Sequence, residues 1–110
     1  METPDKWVII KINDYYKVFA TWLGGYLDGS MWRINSGISK IEEDETFYYF
    51  HGYSGSIYKC YKKAYGTNYY TESVLDNIID KVKKSDVEVE VLPKDTDFSN
   101  LIKENETRTN

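Results

Sequence analysis

The chain has 110 residues and a formal net charge of −4, and its length fits one folded domain. A single cysteine excludes an internal disulfide, and a single histidine excludes a zinc motif that needs two histidines. The acidic balance argues against broad nucleic-acid binding, because affinity for phosphate comes largely from clustered Lys and Arg. No apolar run approaches the roughly 18 residues of a membrane helix, and residues 1–6 lack a signal-peptide pattern. We therefore expect a cytoplasmic protein with no membrane partner.

The first part of the chain predicts a β-hairpin. Residues 6–12 alternate in a strand pattern, and Asn13 and Asp14 supply a two-residue turn. Residues 15–23 return as a second strand that carries large apolar groups on both faces. We expect this second strand to be central and covered on both sides.

Short apolar segments that are separated by turn residues predict the remaining strands. The loop at residues 24–30 holds three glycines, and the acidic run at residues 42–45 is interpreted as a solvated turn. Strict alternation of Val and Glu predicts a last strand that Pro93 ends. The predicted strands after the hairpin are residues 31–35, 38–42, 46–53, 57–62 and 87–91.

One amphipathic helix is predicted after the sixth strand. Thr71 or Ser73 can cap its N-terminus, and a stripe of buried positions runs along one face. Farther on, Phe98 and Leu101 are expected to dock on the body of the protein from a short helical turn. The stripe consists of Val74, Leu75, Ile78, Ile79 and Val82.

These elements predict an α+β fold, a mostly antiparallel sheet of six to seven short strands with one amphipathic helix packed on a face. We expect residues 1–102 to form a single domain. Residues 103–110 have almost nothing to bury and are expected to be a frayed tail.

His51 and Cys60 are the pair from which a catalytic dyad could be built. A two-residue loop at Ser54 and Gly55 would make them diagonal neighbours on one face, whereas a three-residue loop would place Cys60 opposite Phe50, away from His51. A nucleophilic cysteine needs a lowered pKa, an orienting group and an oxyanion hole, and positions within a strand provide these poorly. We favour a packed thiol, and we predict no catalytic residues, no cofactor and no metal site.

A stripe of interleaved lysines and tyrosines offers a second hypothesis. Cations and rings in this mixture can bind a nucleotide or single-stranded nucleic acid. Alternation along a strand sends the lysines to both faces, however, so a solvated strand edge is favoured. The stripe consists of Lys59, Lys62 and Lys63 with Tyr58, Tyr61 and Tyr65.

The tyrosines point toward recognition. A buried tyrosine needs a partner for its hydroxyl, so a small domain can hide only a few of its 11. Several lie in glycine-rich or polar loops, and Tyr and Trp are enriched at protein interfaces. The alternative is that these rings close the ends of a small sheet. The predicted binding residues are Tyr26, Asp28, Trp32, Arg33, Tyr53, Ser54, Ser56, Tyr65, Asn68 and Tyr69.

Two stretches, at residues 22–38 and 49–67, carry a resemblance. The first contains Trp22-Leu23-Gly24-Gly25-Tyr26-Leu27-Asp28-Gly29-Ser30-Met31-Trp32-Arg33, and the second contains His51-Gly52-Tyr53-Ser54-Gly55-Ser56. They resemble small cytoplasmic proteins of T4-like tailed phages, among which the nearest named family is the phage valyl-tRNA synthetase modifier. These patterns have no known catalytic role, so no residue roles are carried over.

The resemblance implies a host-takeover protein that binds and modulates a host protein without catalysis, with an aminoacyl-tRNA synthetase as the candidate partner. The alternative is a counter-defence protein that binds a nucleotide or signalling molecule in a pocket among the loops around Tyr26, Tyr53 and Tyr65. A flat or convex tyrosine surface favours the protein partner, and a concave surface favours the small ligand.

Overall fold

The computed structural model describes residues 1–24 and 31–102, which form seven β-strands, one α-helix and two short 3₁₀ turns. The 3₁₀ turns are Lys62–Ala64 and Phe98–Asn100. Among the described residues, no helix is both long and apolar enough to cross a lipid bilayer. In chain order the strands and the helix are β1 (Lys6–Ile12), β2 (Tyr15–Trp22), β3 (Met31–Ile34), β4 (Ile38–Glu43), β5 (Phe47–Gly52), β6 (Ile57–Tyr61), α1 (Tyr69–Lys83) and β7 (Val89–Val91).

The predicted α+β class with antiparallel strands is confirmed, and the strands are divided between two sheets rather than joined in one. A four-stranded sheet has the order β3-β2-β1-β7, and a three-stranded sheet has the order β4-β5-β6. The chain crosses between the sheets at residues 35–37. There the side-chain oxygen of Asn35 accepts hydrogen bonds from the backbone N–H of Val18 at 2.9 Å and of Gly37 at 3.3 Å.

The predicted hairpin is confirmed. Ile12 pairs directly with Tyr15, which leaves a two-residue turn in which Asn13 has φ 52°. The central position of β2 is confirmed as well, since Val18 packs in one core and Phe19 in the other. Alternating apolar residues on both faces of β2 therefore reflect a strand with a packed layer on each side.

The four-stranded sheet is the middle of three layers. On one face, Trp7 and Ile9 pack against Phe50 and Cys60 of the three-stranded sheet. Phe98 and Leu101 are also buried in this core, as the sequence predicts. On the other face, α1 buries Leu75 against Val8, Ile10 and Phe19.

The helix begins earlier than its predicted caps, Thr71 and Ser73. Asn68 is the N-cap, and its side-chain oxygen accepts a hydrogen bond from the backbone N–H of Thr71 at 2.8 Å. The Thr71 hydroxyl accepts in turn from the backbone N–H of Asn68, which completes a capping box. The buried hydroxyl of Thr21 donates to the same Thr71 hydroxyl at 3.0 Å. This contact fixes the start of α1 against β2.

Candidate functional site

The β5–β6 hairpin pairs in neither of the two registers that the sequence suggests. Gly52 and Ser56 close a three-residue turn, with the Gly52 N–H donating to the Ser56 carbonyl at 2.8 Å. Cys60 therefore lies opposite Tyr48, and His51 lies opposite Ile57. Tyr53 lies outside the β5–β6 ladder, and its N–H donates to the carbonyl of Gly37 in the crossing between the sheets at 3.0 Å.

This register places His51 and Cys60 on opposite faces of the three-stranded sheet, so the hypothesis of a catalytic dyad is wrong. Cys60 points into the core, where it is 0% exposed, and burial raises the pKa of its thiol. His51 lies on the outer face, where its Nε2 is 2.6 Å from the Oε1 of Glu42. A buried protonated thiol without a basic neighbour has no route to nucleophilic chemistry.

We expect Cys60 to resist a water-soluble thiol reagent in the folded protein, even in mildly alkaline buffer. Burial blocks access to the sulfur and also disfavours the reactive thiolate. The absorbance of the released reagent group measures labelling over time, and a denatured sample supplies the control with one reactive thiol per chain. Labelling of the folded protein as fast as of the denatured protein would contradict the buried position.

The predicted binding residues do not form one surface. Tyr26 and Asp28 lie outside the described residues. The other eight occupy four places: Trp32, Asn68 and Tyr69 near the start of α1, Arg33 on the opposite face of β3, Tyr53, Ser54 and Ser56 at the β5–β6 turn, and Tyr65 between β1 and the segment after β7.

Tyr65 serves the interior. Its hydroxyl donates to the carbonyl of Leu92 at 2.6 Å and accepts from the backbone N–H of Ile9 at 3.1 Å. Its ring centroid lies 4.8 Å from that of Trp7 in an edge-on contact, and burial raises the pKa of Tyr65. Since both hydrogen-bonding functions of the hydroxyl are engaged inside the protein, Tyr65 acts as a structural residue.

The β5–β6 turn is hydrogen-bonded to the crossing between the two sheets. The backbone N–H of Ser54 donates to the Ser36 hydroxyl at 2.9 Å, and that hydroxyl donates to the Ser54 hydroxyl at 3.2 Å. The Tyr53 ring covers Gly37, where φ is +125° and a Cβ atom would lie 2.9 Å from the ring. The polar groups of this turn thus hold the crossing between the sheets, although Tyr53 remains 63% exposed.

Several exposed apolar side chains lie near the end of the four-stranded sheet where β2 ends and β3 begins. Trp32 of β3 is paired with Thr21, and Thr21 is bonded to Thr71 of α1. The chain neighbours of these residues therefore share one end of the four-stranded sheet. We call this end of the sheet the aromatic corner, and its members are Leu23, Trp32, Tyr69 and Tyr70. Met31, which pairs with Trp22, lies on the other face of β3 together with Arg33.

The aromatic corner combines a fixed ring with freely exposed ones. The Trp32 indole stacks on the buried ring of Phe19, with centroids 5.6 Å apart and planes inclined by 18°, and it remains 38% exposed. Tyr69 is 93% exposed. Trp32 and Tyr69 are among the residues predicted from the sequence, whereas Leu23 and Tyr70 are not. If the sequence had been interpreted as a helix that begins at Tyr69, Tyr70 would have been assigned to the same surface.

Arg33 lies beside the aromatic corner on the other face of β3. Its guanidinium is 3.2 Å from the Oε1 of Glu2 and lies 5.9 Å from the ring of Trp22. The Arg33 side chain is still 56% exposed. β3 therefore presents apolar groups together with one accessible positive charge.

The lysine and tyrosine stripe is split between faces, as the alternation predicts. Lys59 lies on the outer face of the three-stranded sheet, with its Nζ 4.3 Å from the centroid of Phe47. Lys62 instead forms an ion pair with Glu43 at 2.6 Å and lies over the ring of Tyr48. The stripe does not form one continuous basic patch.

The acidic run at residues 42–45 is largely occupied by local contacts. Asp44 accepts hydrogen bonds from the backbone N–H of Phe47, the Tyr49 hydroxyl and the backbone N–H of Thr46, and these bonds hold its pKa below the ordinary value. Glu42 and Glu43 contact His51 and Lys62. The described part of the chain groups no three metal-ligating side chains that could hold an ion.

Described residues line surface cavities of modest volume. Their volumes are about 260, 290 and 200 Å³, and they lie beside Asn13, His51 and Met31 respectively. Pockets for drug-sized ligands usually have about 300–1,000 Å³. Comparisons with protein-family models, curated protein sequences and solved structures found no match, so the candidate site rests on its own geometry.

Proposed function

We propose that this protein binds another protein through the aromatic corner and acts without catalysis. The observation that carries the proposal is the exposure of four large apolar side chains, Leu23, Trp32, Tyr69 and Tyr70, at one end of the four-stranded sheet. A small soluble domain rarely exposes such a group without using it, because the contact of the rings with water is unfavourable.

The composition of the aromatic corner favours a protein partner. Trp, Tyr and Arg are the residues that most often carry binding energy at interfaces, and Trp32, Tyr69 and Arg33 lie on adjoining surfaces. The stacking of Trp32 on Phe19 holds the indole before binding, so little side-chain entropy is lost when a partner covers it.

The resemblance to small proteins of T4-like phages suggests the origin of the partner. It supports a host protein, with an aminoacyl-tRNA synthetase as the candidate. In this proposal the chain is a host-takeover protein that modulates its target by occupying a surface. The reaction chemistry then belongs to the target.

The test is capture from a bacterial host lysate on immobilised protein. We expect one stoichiometric protein partner, and we expect the double variant Trp32→Ala/Tyr69→Ala to bind it at least about tenfold more weakly. Tyr15→Ala is the matched control, because Tyr15 is 60% exposed but lies at the opposite end of β2. Circular dichroism and thermal melting establish that the variants are folded.

Two results would overturn the proposal. One is recovery of no stoichiometric protein by the wild-type chain. The other is equal loss of the partner by the corner variant and by Tyr15→Ala. A thermal shift with a nucleotide in place of a protein partner would favour the alternative function.

A further inference from the structure

β3 is an edge strand with open backbone groups. Its partner on one side is β2, and the Asn35 N–H just beyond it donates to the Val18 carbonyl at 3.1 Å. In an antiparallel ladder, alternate residues direct both backbone groups to the same side. Arg33 therefore faces β2, while the N–H and C=O groups of Trp32 and Ile34 face away. Within the described part of the chain no hydrogen bond reaches these four groups.

The other sheet edges are protected against further pairing. β4 carries charged residues at Lys40 and Glu42 and has a register shift between Ile38 and Lys40. β7 is only three residues long. The outer side of β6 is occupied by Glu2, whose N–H donates to the Ile57 carbonyl at 2.8 Å. Charges, irregularities and short length are the usual means by which proteins prevent edge pairing.

β3 is short as well, with four residues, and it carries Arg33 on one face. Its other face holds Trp32, which is 38% exposed, and no charge. An open edge with exposed apolar side chains favours pairing with another strand. Whereas Glu2 covers the outer side of β6, no described residue covers the outer side of β3, so this edge is available for pairing.

We propose that β3 receives an extended segment of the partner protein as a fifth strand of the four-stranded sheet, antiparallel to β3, with apolar and acidic residues in alternation. This inference rests on the proposed function and names the chemistry of the partner segment. Partner residues that pair with Trp32 and Ile34 share their side of the sheet and are apolar. The residue between them lies opposite Arg33 and is acidic, because the Arg33 guanidinium, paired with Glu2 at 3.2 Å but still 56% exposed, has further donors for a second carboxylate.

The probe is a synthetic peptide in which Val-Glu-Val-Glu-Val is flanked by Thr and Lys residues. Its binding to the full chain is followed by NMR, which measures the hydrogen exchange of individual backbone amides. We expect saturable binding that slows exchange of the Trp32 and Ile34 amides by about tenfold at nine-tenths occupancy. The Arg33 amide is already bonded to β2 and should change little.

Backbone methylation of the peptide supplies a matched control. Methylation of the Val amides removes the donors that face β3, so we expect binding to be lost. The same number of methyl groups on the Glu amides, which face away, should leave binding within about threefold.

Two protein variants test the same geometry. Ile34→Pro removes one outward N–H and leaves the side chains of the aromatic corner in place, whereas Ile34→Ala removes a similar amount of packing and keeps the N–H. We expect Ile34→Pro alone to lose the peptide. If Ile34→Pro does not fold, the two methylated peptides decide the question.

The proposal is overturned if no saturable shift appears up to about 1 mM peptide, or if the shifts centre away from β3. It is also overturned if the free chain sediments as a dimer that Ile34→Pro converts to a monomer, because the occupant is then a second copy. Capture of the host partner by Ile34→Pro at the wild-type level would refute strand pairing and leave the proposed function intact. Failure of the wild-type chain to capture any partner would refute the proposed function itself.

Discussion

We expect Trp7→Ala to lower the free energy of unfolding by about 3–5 kcal/mol, the range for a large aromatic residue removed from a packed core. Trp7 is 0% exposed, and its indole N–H donates to the Tyr61 carbonyl at 2.7 Å. The loss therefore combines a cavity with an unpaired carbonyl. Four rings surround the indole with centroids 4.8–5.8 Å away, those of Tyr48, Phe50, Tyr65 and Phe98.

Denaturant unfolding followed by circular dichroism measures this loss. Small domains have total stabilities of about 5–15 kcal/mol, so Trp7→Ala should leave a marginal fold. Trp32→Ala is the control, because the same residue type is removed from a half-exposed site, and we expect a loss of about 1 kcal/mol. Equal losses for the two variants would contradict the different burial of the two indoles.

Tyr65→Phe should lower the free energy of unfolding by about 1–3 kcal/mol although it removes a single oxygen atom. The substitution leaves the Ile9 N–H and the Leu92 carbonyl without their partner and keeps the ring packing. Denaturant unfolding gives the loss, and Tyr69→Phe is the control because Tyr69 is 93% exposed.

The same variant separates a structural role of Tyr65 from its predicted role in binding. Since Tyr65 lies away from the aromatic corner, we expect folded Tyr65→Phe to bind any partner of the proposed interface at the wild-type level. If Tyr65→Phe kept its stability but no longer bound the partner, Tyr65 would have to be counted among the binding residues.

The sequence predicts those parts of the fold that depend on local periodicity. In β1, Trp7 and Ile9 alternate with Val8 and Ile10, and both sets are buried because the strand has a layer on each face. In α1, the predicted stripe includes Leu75, which packs on the four-stranded sheet. The spacing of apolar residues along a strand or helix indicates how many of its faces are covered by other parts of the protein.

Contacts between distant segments could not be predicted in this way. The division into two sheets involves the Asn35 side chain, and the β5–β6 register involves the bond from Tyr53 to Gly37. The first contact joins the crossing at residues 35–37 to β2, and the second joins it to the β5–β6 turn. No local sequence pattern specifies either contact. Composition alone placed Trp32 and Tyr69 in the candidate site, yet it also selected Tyr65, because a tyrosine beside a glycine can face either water or the core.

The pairing of β1 with β7 has a consequence for the order of folding. Ile10 pairs with Val91, so the four-stranded sheet joins segments from opposite parts of the chain. During synthesis β1 and β2 leave the ribosome well before β7, while Phe98 and Leu101 follow later still. Contacts between such distant residues form slowly because a long loop must close first. In a nascent chain that ends before β7, the core around Trp7 is therefore incomplete and partly exposed to water. Such a chain stays soluble only if synthesis of the remaining residues is fast or a chaperone binds it.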